Sequence, residues 1–273
     1  MEPKAKHLFW YDGQLLNSPS LTLAIDDPAL IYGASIFTTM RVYHSDLNHP
    51  RTCWQQHIQR LRVSLDAFDW EFSDWQRLEQ GAIALLPFSP VLRIAIFPNG
   101  RELIQGRNLP PDLDQNKKSG VVGRVVDSFY DRSLGSHKTG NYLGPWLALQ
   151  SARRHGAREA IITDSHGNWL ETSTGNLWGY DGHSWYTPSL SSTNGTSILS
   201  GITRTYILES LQRDGLPTQE VIWNLELVRK FTVIAYSNCV IELIPFRQIH
   251  IDETQLEFSV NNPALSQLQN YFC

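Results

Sequence analysis

Apolar residues change their spacing several times along the chain, and each change marks a predicted element. "HLFWYDGQLL" (7–16) alternates around Asp12-Gly13 and predicts a strand, a tight turn and a return strand. "ALIYGASIFTTMRVYH" (29–44) is rich in β-branched and aromatic residues on both sides of Gly33, which predicts a strand pair broken by a tight turn. Between Thr52 and Phe68 the residues Trp54, Ile58, Leu61, Leu65 and Phe68 recur at helical spacing. A second helix is expected over 74–86, ending at Pro87, and "VLRIAIF" (91–97) reads as a strand. "PNGRELIQGRNLPPDLDQNKKSG" (98–120) is dense in proline and glycine and reads as a linker, with a boundary near 106–119.

Beyond it, "GVVGRVVD" is a strand, and "NYLGPWLALQSARRHG" is a helix with Pro145 near its first turn and Gly156 as its stop. "EAIITD", "NWLET", "NLWGYD" and "SWYTP" are short strands, followed by a polar, flexible loop, "SLSSTNGTSILSG" (189–201). "ITRTYILESLQRDG" is a helix opening at that loop, and "TVIAYSNCVIELIPF" is strand, turn, strand. No repeat of solenoid period appears. The pattern predicts two α+β domains, a smaller one over 1–112 and a larger one over 113–273.

Composition narrows the function classes. The chain has 273 residues, 41% hydrophobic and 18% charged, which is ordinary for a globular protein with core enough to fold unaided. Net charge is −4 and no run of five like charges occurs, so charge gives no support to nucleic-acid binding. The three cysteines, Cys53, Cys239 and Cys273, lack metal-type spacing, and no metal site is expected. "MEPKAKHLFWYDG" has no apolar h-region and no apolar run reaches spanning length; a reduced, cytoplasmic setting away from membranes is expected. Of nine tryptophans, Trp54, Trp146, Trp178 and Trp185 are expected in the core or at a domain interface.

Four features could carry chemistry. In "SILSGITR", Ser200 and Gly201 precede a helix whose first N–H groups, at Ile202 and Thr203, could hold a phosphate; a capped helix without ligand is the plainer alternative. Glu171 in "NWLETSTGN" either caps a turn or sits under a heterocycle and keeps a ring nitrogen protonated. Arg60 in "QQHIQRL" shares a helical face with His57, as a binding group or as an exposed helix arginine. Lys138 in "SHKTGNYLG" (136–144) is a solvated loop lysine or an amine whose surroundings let it react uncharged. Lysine, phosphate cradle, lone carboxylate and arginine together form the inventory of a pyridoxal phosphate site.

The order and wording of these segments resemble the fold-type IV pyridoxal-phosphate enzymes of the class IV aminotransferase family. The carriers are "YGASIFTTMRV", "HIQRL", "KTGNYL", "GAREAIITDSHGNWLETSTGN", "YTP" and "LSGITR", spread over nearly the whole chain. The resemblance implies a two-domain α+β fold like that of D-amino acid aminotransferase, with pyridoxal 5'-phosphate in the interdomain cleft, and a homodimer acting on a small amino substrate. It implies Lys138 as the Schiff-base lysine, Glu171 as partner of the ring nitrogen, and Arg60, Ile202 and Thr203 as phosphate ligands. Ser237 and Asn238 in "YSNCV" fall at a second phosphate-side loop, where this chain departs from the family's small residue plus threonine. Tyr32 matches a substrate-side tyrosine, and Arg93, Arg101 and Arg107 are candidates for gripping substrate carboxylates.

Branched-chain aminotransferases tend to read F-E-G-x-R where this chain has "FTTMR", whereas 4-amino-4-deoxychorismate lyases tend to read F-x-T-x-R. Thr38 is taken as the threonine that assists proton transfer, with a β-branched residue packing sideways as the alternative. The expected activity is therefore release of pyruvate and 4-aminobenzoate from 4-amino-4-deoxychorismate, a step of folate synthesis. The alternative is transamination of a branched-chain or D-amino acid with a 2-oxo acid acceptor. A cofactor-binding protein without turnover is a third reading.

Overall fold

A computed structural model describes residues 7–72, 74–130, 134–191 and 197–272. The first six residues, part of the polar loop expected over 189–201 (residues 192–196), and Cys273 lie outside the described residues. The chain forms two compact units, one of residues 1–109 with 137–141, the other of 110–136 with 142–273.

In the first unit, β1 (Leu8–Tyr11) and β2 (Gln14–Asn17) form the expected hairpin. Asp12 and Gly13, at φ 46° and 80°, supply the left-handed turn that suits strand twist. The next expected strand is instead a short helix, α1 (Pro28–Tyr32). The Asp27 side chain accepts from the Ala29 N–H, Pro28 opens the helix, and Gly33 closes it at φ 65°, so capping chemistry overrides the β propensity of "ALIY". Then follow β3 (Ile36–Arg41), α2 (Trp54–Phe68), α3 (Trp75–Leu85) and β4 (Val91–Ile96).

The expected linker is a second departure. It contains β5 (Glu102–Arg107) and α4 (Leu113–Ser119), the latter in the second unit. β5 pairs with both β4 and β1, at the centre of an antiparallel sheet of order β2-β1-β5-β4-β3. Its signal is obscured by Glu102, a charge at a core position. That carboxylate is fully buried yet accepts from Trp10 Nε1 and the Gly13 N–H, both at 2.9 Å, and pairs with Arg77 at 2.5 Å. A buried charge is tolerated when so partnered.

Strand alternation gives the sheet two faces. Ile36, Met40, Leu92, Ile94, Ile96 and Ile104 pack under α2 and α3 against Ile58, Leu61, Leu65, Leu78 and Ala82. The register sets Phe37 opposite Ala95, Arg93 between Thr39 and Gln105, and Val91 between Arg41 and Arg107, all on the other face.

The second unit continues with β6 (Val121–Val126), α5 (Leu143–Arg154), β7 (Glu159–Thr163), β8 (Trp169–Thr172), β9 (Asn176–Tyr180), β10 (Trp185–Pro188) and α6 (Ile202–Arg213). β11 (Thr218–Val221), α7 (Leu225–Val228), β12 (Val233–Asn238), β13 (Glu242–Ile251), β14 (Thr254–Glu257) and α8 (Pro263–Asn270) complete it. The sheet runs β11-β10-β9-β12-β13-β6-β7-β8, with β14 on β13. Helix α5 connects the parallel pair β6 and β7, as a crossover must, and packs Ala148 and Ala152 against Ala160 and Ile162. Trp54, Trp178 and Trp185 are buried as expected. Trp146 is not, at 52% exposed, because it lies off the buried stripe of Pro145, Ala148 and Ala152 on α5. No helix among the described residues is long and apolar enough to cross a membrane.

Candidate active site

The segment carrying Lys138 is strapped to β3. The Phe37 N–H donates to the Lys138 carbonyl at 2.8 Å, the Gly140 N–H donates to the Ser35 carbonyl at 2.6 Å, and Ile36 bridges to Thr139. Glycine is required at 140, since a Cβ there would stand 2.2 Å from Ser35 Oγ and 2.6 Å from the Gly33 carbonyl oxygen. His137 adds a side-chain anchor, its Nδ1 3.0 Å from Ser64 Oγ on α2 and its ring 4.8 Å from that of Phe68. Lys138 Nζ lies 4.9 Å from the Phe37 ring centroid, and the Arg93 guanidinium lies 4.1 Å from the same ring. Thr39 is in register with Arg93, so lysine, threonine and arginine share the face opposite the core.

Thr38 lies on the core side of β3, whereas Phe37 and Thr39 occupy the other face. Thr38 is completely buried among Ile36 and Met40, and its hydroxyl is 2.5 Å from His57 Nδ1. Period-two alternation puts Thr39 on the face of Phe37, whose ring centroid lies 4.9 Å from Lys138 Nζ. That alternation, with apolar Ile36 and Met40 flanking Thr38, is present in the sequence and is the signal that could have found Thr39.

His57 is also buried, and its pKa is held well below the ordinary imidazole value, first by desolvation, then by the charges of Arg60 and Lys138. Arg60 is half-buried on α2, the helix that also carries His57. Arg101 is engaged elsewhere. It pairs with Asp27, the cap of α1, and donates to Tyr11 Oη at 2.6 Å, so it ties the β4–β5 turn to α1 rather than waiting for a carboxylate. Tyr32 ends α1 and is 74% exposed.

In the second unit, Glu171 on β8 is buried and its Oε2 accepts from the Leu199 N–H at 3.3 Å. Asn176 Nδ2 donates to the Leu199 carbonyl at 2.9 Å, and a Cβ on Gly201 would meet Asn176 Oδ1 at 2.1 Å. The acid and the start of α6 are therefore tied together through residues 176, 199 and 201. Helix α6 has no side-chain cap, so its first N–H groups, including those of Ile202 and Thr203, lack intrahelical acceptors. Thr203 is buried, its hydroxyl donating to Cys239 Sγ at 3.3 Å. These features fit an aromatic nitrogen base with a phosphate tail: a buried carboxylate and, close by in the same unit, an uncapped helix start with a positive dipole end.

Ser237 and Asn238 have other duties. Ser237 is 1% exposed and its Oγ accepts from Trp178 Nε1 at 2.9 Å. Asn238 builds the turn after β12, accepting from the N–H groups of Val240 and Ile241 and donating to the Thr174 carbonyl. Strand alternation turns the serine inward, and the tight turn takes up the amide. Sequence reasoning missed Glu159 altogether. It is a buried carboxylic acid held by Ser173, Thr174 and the Ala160 N–H, its pKa raised by desolvation, and it fixes the loop that leaves β8 just after Glu171.

Comparison with known proteins places the chain in a family and a fold. The amino-transferase class IV family model matches residues 35–249. A D-alanine aminotransferase of Listeria monocytogenes is 31% identical over 287 residues, covering 96% of this chain and 93% of that one. The branched-chain aminotransferase of the archaeon Thermoproteus uzoniensis, solved with norvaline, superposes with a TM-score of 0.79 at 21% identity, covering 97% and 93% of the two chains. A provisionally named 4-amino-4-deoxychorismate lyase of Legionella pneumophila superposes with a TM-score of 0.77 at 20% identity, covering 93% and 95%. The chain belongs to the class IV aminotransferase family, enzymes of fold-type IV that use pyridoxal 5'-phosphate.

His57 makes a stability prediction. Its pKa is depressed in the folded state, so below the ordinary imidazole value of 6.5 the unfolded chain binds a proton that the folded chain refuses. Stability from this group is full above that pH and declines as pH falls, by up to about 1.4 kcal/mol per unit. Urea unfolding at pH 5 and pH 8 is expected to show a larger loss for the wild type than for His57→Gln, and equal losses would refute the assignment.

Proposed function

We propose that the chain is a 4-amino-4-deoxychorismate lyase releasing pyruvate and 4-aminobenzoate. The observation that carries this reading is Thr39, a hydroxyl on the sheet face that bears Lys138 and Arg93. Pyridoxal phosphate supplies the sink for the electrons left when a proton is removed beside the amino nitrogen. Lys138 Nζ, uncharged, removes the proton from the ring carbon bearing that nitrogen. The adjacent carbon–oxygen bond breaks, the ring becomes aromatic, and enolpyruvate departs and takes up a proton to become pyruvate. Thr39 Oγ1 relays that proton. A transaminase expels no such group and needs no second proton carrier, which is why the hydroxyl favours elimination.

The remaining roles follow from the chemistry of the groups. Glu171 keeps the cofactor's ring nitrogen protonated. Arg60 and the N–H groups of Ile202 and Thr203 hold its phosphate, and Arg93 orients a substrate carboxylate. A second reading, transamination of a D- or branched-chain amino acid, is favoured by the D-alanine aminotransferase relative. A second copy of the chain is proposed as the partner. Ile25, Leu30, Ile31 and Tyr32, at 87%, 56%, 52% and 74% exposed, form an apolar run that a monomer would leave in water. A cytoplasmic setting completes the proposal.

Four outcomes are expected. Pyruvate appears from 4-amino-4-deoxychorismate without an amino acceptor, whereas glutamate formation from D-alanine or leucine with 2-oxoglutarate stays at background; the reverse pattern selects the transaminase. Thr39→Val lowers kcat by about 10²-fold or more with little change in KM. Thr38→Val instead costs about 1–3 kcal/mol of stability, by leaving His57 Nδ1 unpaired, and keeps turnover within a few-fold; the opposite result would restore the role to Thr38. In sedimentation, the wild type runs at twice the chain mass and Leu30→Asp with Ile31→Asp runs as a monomer, and a monomeric wild type sinks the dimer.

A further inference from the structure

At the edge of the first unit's sheet away from β3, β1 and β5 floor a cavity of about 380 Å³. This lies within the range of small-molecule sites. Phe9, Leu103, Gln105 and Arg107 line it, with Phe88 and Ser89 from the loop before β4. Phe9 is in register with Gln105, so these strand residues share the face opposite the apolar core.

Of the polar groups here, Ser18 and Ser20 bond one another, and Gln105 and Arg107 stand apart from them. Among the described residues, the side chains of Gln105 and Arg107 make no hydrogen bond and no ion pair. Other arginines of the first unit contrast with this, since Arg77 and Arg101 are each paired with a carboxylate. Arg107 is an exposed residue overall, yet desolvation by its surroundings lowers its pKa, and no acidic group offsets the effect. A guanidinium without a counter-charge at the rim of an aromatic-walled cavity offers its fork of donors to an anion.

We propose that this cavity binds a small carboxylate with an apolar body, of the size and kind of benzoate, separately from the Lys138 end of the sheet. Arg107 grips the carboxylate through its planar fork, Gln105 offers an amide donor, and Phe9, Phe88 and Leu103 cover the apolar body. A single guanidinium with aromatic walls suits a monovalent carboxylate better than a strongly hydrated phosphate. β4 lies between β5 and β3, whose Phe37 underlies Lys138, so at about 4.8 Å per strand the cavity is roughly 10 Å from the lysine's strand.

The test uses the holoenzyme with sodium benzoate at low ionic strength, by titration calorimetry, while the visible cofactor band is recorded. The expected result is one saturable site per chain that leaves the band unchanged and is weakened about 10-fold or more in Arg107→Ala, with partial recovery in Arg107→Lys. An unchanged melting temperature in both variants shows that the fold is intact. The proposal is overturned if the wild type does not bind, if Arg107→Ala binds equally well, or if binding shifts the cofactor band, which would put the anion at Lys138. Inorganic phosphate binding more tightly than benzoate would overturn the carboxylate assignment.

Discussion

Two backbone hydrogen bonds hold the Lys138 segment to the edge of the first unit's sheet, and the chemistry proposed for that unit depends on them. The Phe37 N–H to the Lys138 carbonyl, and the Gly140 N–H to the Ser35 carbonyl, give a loop lysine the positional definition of a strand residue. A free loop lysine would sample many rotamers, at a conformational cost on ordering of about 2 kcal/mol. Here the backbone is held first, His137 is anchored on Ser64 and Phe68, and the amine is left over the Phe37 ring. The glycine at 140 permits the close approach that the strap needs.

The sheet beneath the strap separates stability from chemistry by parity alone. Even positions of β3 enter the apolar core, where Thr38 meets His57, a pair of polar groups that satisfy one another under α2. Odd positions face the other way and carry Phe37, Thr39 and Arg41, with Arg93 across from Thr39. One residue of register would exchange the two sets. Polar residues inside this unit, Glu102 and His57 among them, are tolerated because each has a named partner.

The second unit meets a different demand, a buried carboxylate held at fixed distance from a helix start. It does so with short-range devices. Asn176 and Glu171 both bind the backbone of Leu199, and Gly201 lets Asn176 approach the start of α6. Glu159 fixes the hydroxyl-rich loop after β8. Such acids are stable only where several donors surround them, which is why the neighbouring sequence is so rich in serine, threonine and asparagine.

Most of the elements were legible in the sequence, because amphipathic period and turn residues are local properties. The helix of Trp54, Ile58, Leu61 and Leu65, the Asp12-Gly13 hairpin and the strand "EAIIT" needed no tertiary context. Family membership was legible too, since the segments around Lys138, Glu171 and Gly201 are distinctive in wording and order. What only the tertiary structure decided concerns partners distant in the chain. Glu102 makes β5 a central strand only because Trp10 and Arg77 meet it. Arg101 is drawn to Asp27, Ser237 to Trp178, and Thr38 to His57. A side chain's chemistry is written in its identity, but whether that chemistry is free for a ligand depends on which acceptors and donors folding brings within about 3 Å, and no local pattern encodes that.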